Sequence, residues 1–226
     1  MKRVKPFFIA ILVFSIMSMA SSLANAEVYA DIYGGVALPL GGDVTVTGSS
    51  GGLTAKTTGE VDYKDSFTVG GRVGFWYTET TPSMSYVGAA LDVSYFKTEA
   101  YDFGTDIYVV PISLLIMLRH PGETFQPYLG LGGGIFVSYV QQDVDLSSIG
   151  AGTLTLCDTS VDPGFDARAG LAIKVHESFA VFGEGRYTYF NPKYKDTKMV
   201  LGVPVNVEAE THVNVFYFLA GISYRF

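Results

Sequence analysis

The last sixteen residues, THVNVFYFLAGISYRF from Thr211 to Phe226, decide how the whole chain is read. At period two they separate into two faces. Phe216, Phe218, Ala220, Ile222, Tyr224 and Phe226 share one, and Val215, Tyr217, Leu219, Gly221, Ser223 and Arg225 share the other. The first face is apolar, with aromatics near both ends. The second carries Gly, Ser and Arg, a poor choice for the packed side of a soluble sheet but a good one for a strand whose outside is lipid.

The same alternation recurs six times upstream, over 28–40, 64–77, 86–98, 126–140, 162–175 and 178–190. In 106–119 both faces are apolar apart from Ser113, so a strand is expected there without a defined facing. Eight strands of this length each meet the ~9–11 tilted residues that a bilayer requires. Between them, long or medium connections (41–63, 99–105, 141–161, 191–209) alternate with short turns. The Gly, Ser and Thr content of the long ones predicts irregular loops. The fold class expected is all-β, an eight-stranded antiparallel up-and-down transmembrane β-barrel, because a closed barrel is what satisfies backbone groups in lipid without helices.

Ionisable residues fall on one face of six strands: Asp31, Arg72, Asp92, then Asp166, Arg168 and Lys174, then Glu184 and Arg186, and finally Arg225. A soluble lipocalin-type barrel would have to bury these charges and expose Phe, Leu and Val to water, which is unfavourable twice over. Against lipid the same pattern is favourable. Aromatics are expected in two girdles, Tyr77, Tyr86, Tyr128, Phe179, Tyr224 and Phe226 at one rim and Phe67, Tyr95, Tyr139, Tyr187, Tyr189 and Phe216 at the other.

At the start, Lys2, Arg3 and Lys5 precede an apolar run from Phe7 to Met19, and Ala24-Asn25-Ala26 gives an A-x-A site before Glu27. Residues 1–26 therefore read as a secretory signal peptide, leaving one domain over 27–226. Removal of the three early basic residues from the 15 in the chain leaves 12 against 22 acidic ones, a balance that argues against nucleic acid as a partner. Cys157 stands alone with Asp158 and Asp162 as its nearest charges, so it offers neither a disulfide nor an activated thiol.

Signal peptide, eight alternating strands and the terminal Tyr224-Arg225-Phe226 together resemble the small outer-membrane β-barrels of the OmpA/OmpX type. The resemblance implies that Tyr224 and Phe226 form an assembly signal read by the barrel-assembly machinery. It also implies outer-membrane lipid and lipopolysaccharide as surroundings and a monomer, with periplasmic N- and C-termini and short turns and with long loops outside the cell. No His/Cys cluster has ligand spacing, and the glycine-rich run from Gly130 to Gly134 opens no helix, so no metal and no cofactor are expected.

Counted from the short turns, Arg72 and Asp92 share a depth on neighbouring strands, as do Arg168, Glu184 and Arg186, while Asp31 and Arg225 are expected to meet near the base. Asp31, Arg72, Asp92, Asp166, Arg168, Glu184, Arg186 and Arg225 are thus candidates for a lumen charge network that holds the barrel shut. The function expected is a non-enzymatic structural or surface-interaction role through the long loops. Two alternatives come from other classes. One is a narrow channel similar to the OmpW-like barrels, with the same ions selecting solutes. The other is a lipid A-modifying barrel enzyme, for which His212 is the one histidine at a suitable height, although its parity places it on the lipid face.

Overall fold

The computed structural model describes residues 26–50, 53–61, 63–77, 86–100, 105–145, 153–200 and 203–226. The chain runs through β1 (Ala26–Leu40), β2 (Gly42–Ser50), β3 (Leu53–Val61), β4 (Ser66–Tyr77), β5 (Val87–Ala100), β6 (Thr105–Arg119), β7 (Phe125–Asp145), β8 (Thr153–His176), β9 (Phe179–Phe190), β10 (Lys193–Val200), β11 (Val203–Thr211) and β12 (Val213–Arg225). Eight of these close into an antiparallel barrel in the order β1-β12-β9-β8-β7-β6-β5-β4. The expected signal peptide lies outside the described residues except for Ala26, which opens β1 opposite Tyr77.

The barrel is apolar outside and polar inside. Phe67 is 83% exposed, Ile32 70% and Leu114 66%, whereas Asp92, Asp166 and Thr188 are fully buried in the lumen. Large aliphatic and aromatic surfaces on the outer wall are favourable only against hydrocarbon. No helix among the described residues is long and apolar enough to cross a membrane.

β6 gains the facing that its sequence left open. Val109, Pro111, Ser113, Leu115, Met117 and Arg119 are buried inward, and Leu114, Ile116 and Leu118 point out. Ser113 marks the lumen side, so Arg119, which shares its parity, belongs there too.

Two expectations are corrected. The segments 41–63, 141–161 and 191–209 are not irregular loops. β2, β3, β10 and β11 form a second sheet of order β10-β11-β2-β3 beyond one barrel rim, and β7 pairs with β8 out to Asp145↔Thr153. Runs such as Asp43-Val44-Thr45-Val46-Thr47 alternate β-branched residues, and Thr favours strands as Val does. Counting Thr with Gly and Ser as a loop former concealed this. The second correction is Tyr128, which is not a girdle residue. Its even position in β7 turns it inward, where it is 6% exposed. The remaining described girdle residues face outward as expected. Cys157 lies in β8 opposite Gln141, with its side chain outside the description.

Candidate functional site

Adjacent strands bring the lumen charges to a common depth. Arg72 of β4 stands opposite Asp31 of β1 on one side and Asp92 of β5 on the other, and Arg168 of β8 stands opposite Arg186 of β9. Side chains long enough to cross the lumen then choose partners on distant strands. Arg72 donates from Nε to Asp31 Oδ2 and from Nη1 to Glu184 Oε2, each at 2.7 Å, rather than pairing with Asp92. Arg168 Nη1 reaches Asp92 Oδ2 at 2.9 Å and Glu184 Oε1 at 3.3 Å, and its Nη2 reaches Asp166 Oδ2 at 2.7 Å. Arg186 completes the set with Asp92 Oδ1 at 3.2 Å and Asp166 Oδ2 at 2.7 Å.

These contacts make one continuous network: Asp31, Arg72, Glu184, Arg168, then Asp92 and Asp166, then Arg186. Three guanidinium groups meet four carboxylates. Arg168 and Arg186, like charges facing each other across the β8–β9 ladder, are held together by the two aspartates they share. Isolated, each ion would suffer a large desolvation penalty; joined by short charge-assisted bonds, most of their polar atoms satisfy one another, with Arg186 Nε left without a hydrogen-bond partner.

Two tyrosines extend the network. Tyr33 Oη donates to both oxygens of Asp92 at 2.8 and 2.9 Å, and Tyr128 Oη donates to Glu184 Oε2 at 2.7 Å. Glycines make room for them: a Cβ on Gly70 would stand 2.5 Å from the Tyr33 ring, and one on Gly170 would run into Tyr128. The guanidinium of Arg72 also lies 5.3 Å from the Phe182 ring centre and 5.6 Å from that of Tyr128. The inward glycines therefore serve ring packing and not an open bore.

The family model described as outer membrane protein beta-barrel domain matches residues 7–226. The chain belongs to that family. Among solved structures this outer-membrane barrel is similar to the outer membrane protein OprG from Pseudomonas aeruginosa, at 19% identity over 89% of this chain and 97% of that one, with a TM-score of 0.61. The outer membrane protease OmpT from Escherichia coli is 10% identical over 88% of this chain and 97% of that one, with a TM-score of 0.50. At such identities the likeness concerns the fold alone, and that fold carries at least one protease. No match was found among curated proteins.

At the short-turn end of this barrel the expected pairing of Asp31 with Arg225 does not form, because the β1–β12 register places Ser223 opposite Asp31 and Tyr29 opposite Arg225. Arg225 instead donates to Gln126 Oε1 at 2.6 Å and stands 3.4 Å from Glu27 Oε1. Glu27 also accepts from Arg119 Nη1 at 2.7 Å, and Arg119 lies 4.5 Å from the centre of the Trp76 ring. Arg119 and Glu27 were missed in the sequence reading, although parity with Ser113 and with Asp31 marks both as inward.

Above the network the lumen turns apolar. Phe136 stacks on Phe190 at 4.6 Å, and Phe96 meets Tyr217 edge-on at 5.7 Å. Beyond these rings a cup of about 40 Å³, lined by Pro39, Ile107, Val109 and Val213 among others, opens beside Tyr63 and Thr211. Below the network a second cavity is about 20 Å³. Spaces of this size admit a few water molecules and nothing larger.

Pro111 breaks the wall beside the cup. β5 and β6 pair from Val87↔Leu118 to Val93↔Ile112 and again from Phe96↔Val109, with an interruption at Ser94, Tyr95, Val110 and Pro111. On its other side Pro111 still faces Phe136. A proline has no N–H to give to the β5 ladder.

Proposed function

We propose that this chain is a non-enzymatic outer-membrane barrel whose lumen is closed and whose working surface is the hairpin sheet beyond the rim. The hairpin end stands outside the cell, and the short turns and both chain ends stand in the periplasm. The observation that carries the reading is the buried network: seven ionised side chains from five strands, all at 5% exposure or less, span the lumen with aromatic rings packed above them. Material is thus invested in closing the pore and in projecting β2, β3, β10, β11 and the upper β7–β8 hairpin outward. The non-enzymatic part is supported by the histidines. Within the described residues, His212 hydrogen-bonds Asn191 and His176 accepts a backbone N–H from Ser178, arrangements without a nucleophile to activate.

The test compares cells displaying the intact protein with cells displaying a barrel in which 43–61 and 194–210 are replaced by short turns. Both forms should assemble and show heat-modifiable migration, and attachment of the cells to one another or to coated surfaces should fall to the empty-vector level in the trimmed form. Undiminished attachment by the trimmed form, or none by the intact one, refutes the reading.

A second reading rests on Pro111. The cup, as it stands too small for anything beyond water, would have to widen at the adjoining gap in the β5–β6 ladder to pass a small apolar solute from outside into the bilayer, above the network and never through it. Uptake of a small apolar probe into proteoliposomes would then depend on the gap and fall on Pro111→Ala, which restores a donor. Equal uptake by the two proteins excludes it.

A further inference from the structure

The hairpin sheet has two margins, β10 and β3. β10 is tied at its base to β8, where Ser160 Oγ accepts from the Lys193 N–H at 3.3 Å. On the other margin the chain bonds to β5 only past the end of β3, where Lys64 N–H donates to the Glu99 carbonyl at 3.0 Å and Thr98 Oγ to the Lys64 carbonyl at 2.7 Å. From Leu53 to Val61, no strand among the described residues pairs with the side of β3 that faces away from β2. Lys56, Thr57, Thr58 and Gly59 are exposed, and a Cβ on Gly59 would meet nothing within 4 Å. Alternate residues of β3 therefore turn N–H and C=O groups to water, a template on which a further strand can pair.

The charges on this edge decide what pairs there. A lysine on an exposed edge ordinarily repels a second copy. Here Lys56 stands two residues before Thr58 and Glu60 two residues after it, so the three positions share one face of the strand. An antiparallel copy centred on Thr58 sets each lysine opposite the other copy's glutamate. A parallel copy in register sets lysine opposite lysine. Lys56 is available for such a partner, since the carboxylate that feels its charge, Glu210, takes its hydrogen bond from Lys193 at 2.8 Å.

Strand direction then fixes the geometry. β3 runs from its hairpin tip toward its own barrel, so two copies side by side in one membrane would offer it in parallel, and copies in facing membranes offer it antiparallel. We propose that β3 is a self-recognition edge, pairing antiparallel about Thr58 with β3 of a second copy in an opposing outer membrane and so joining cell to cell. The inference rests on the hairpin sheet being the outward working surface and names the partner that the sheet takes.

Phospholipid vesicles carrying the refolded protein test it, with clustering followed by turbidity. Vesicles with the intact protein should cluster. Lys56→Glu and Glu60→Lys should each lower clustering about tenfold, because each makes both cross-strand pairs like-charged. Vesicles of one variant mixed with vesicles of the other should cluster as the intact protein does, a rescue that misfolded protein does not give. In a Cys157→Ser background, Thr58→Cys should yield a disulfide-linked dimer in clustered vesicles, and Thr45→Cys, one strand further in, should not. No clustering by the intact protein, a mixture no better than either variant alone, or equal dimer from Thr45→Cys and Thr58→Cys overturns the edge. Cell attachment that is lost on trimming the hairpins yet indifferent to both charge changes overturns this partner and leaves the sheet standing as the working surface.

Discussion

Replacing Arg168 by Leu should be among the most damaging single changes to this barrel. Arg168 makes three ion pairs, at 2.7, 2.9 and 3.3 Å, with Asp166, Asp92 and Glu184, and both the cation and its partners are shielded from water. In bulk water each pair would contribute only about 1 kcal/mol, but with the effective dielectric constant of a protein, about 20, the direct attraction approaches 4 kcal/mol per pair before desolvation is subtracted. Removing one partner of a buried group costs about 3–5 kcal/mol, because the carboxylates stay behind without their charge. Arg186, Arg72, Tyr33 and Tyr128 still hold those carboxylates, which argues for the lower half of that range.

The assay is equilibrium unfolding in urea of protein refolded into lipid bilayers. Trp76, the sole tryptophan, is buried in the lumen near the short-turn end and reports on the barrel without a label. Combining Arg168→Leu with Asp166→Leu removes an ion of each sign, and the cycle should return a coupling of about 1–3 kcal/mol. A loss under about 1 kcal/mol for Arg168→Leu, with no coupling, would show that water screens these ions and that the network does not seal the lumen.

Other changes separate the parts of the account. Gly70→Ala should destabilise by about 1–3 kcal/mol by pushing Tyr33 off Asp92, and Tyr33→Phe in the same background should recover only part of that loss, since the new methyl carbon would stand 2.5 Å from the ring carbon Cζ as well as from the hydroxyl; urea midpoints decide it. Glu27→Gln should have a milder effect than Arg168→Leu, about 1 kcal/mol, because Glu27 is 27% exposed on its side chain and screened accordingly. Replacing 43–61 by a short turn should leave the urea midpoint of Trp76 unchanged, since β2 and β3 pair with β11 and each other and with no barrel strand; a shift would mean that the sheet supports the barrel.

Much of this architecture is legible in the chain because lipid on one side and a charged lumen on the other write a period-two code into every spanning strand. The terminal stretch Phe216–Phe226 carries it most clearly, and the inward set from Asp31 to Arg225 follows from it. The code fails where an environment is the same on both faces. β6 is apolar on both sides because aliphatic lumen residues pack under its lipid face, so Arg119 was lost with it. The outer sheet has water around it, and its Thr-Val alternation lacks the contrast that announces a buried side. Pairing inside the lumen is a third kind of case: Arg72 reaches Glu184 across β1 and β12, a chord of the closed barrel that no neighbour-strand count contains. Residue type alone places Tyr128 in a girdle, whereas its parity in β7 turns it inward.

Single-channel conductance of the refolded barrel in planar bilayers tests the central claim, that the network seals the lumen. The intact protein should be silent while folded and heat-modifiable, and Arg72→Ala and Glu184→Ala, which each cut the link between Asp31 and Arg168, should produce discrete openings. Steady conductance by the intact protein, altered in its ion preference by the same two substitutions, would contradict the account and make those residues the selectivity elements of an open pore.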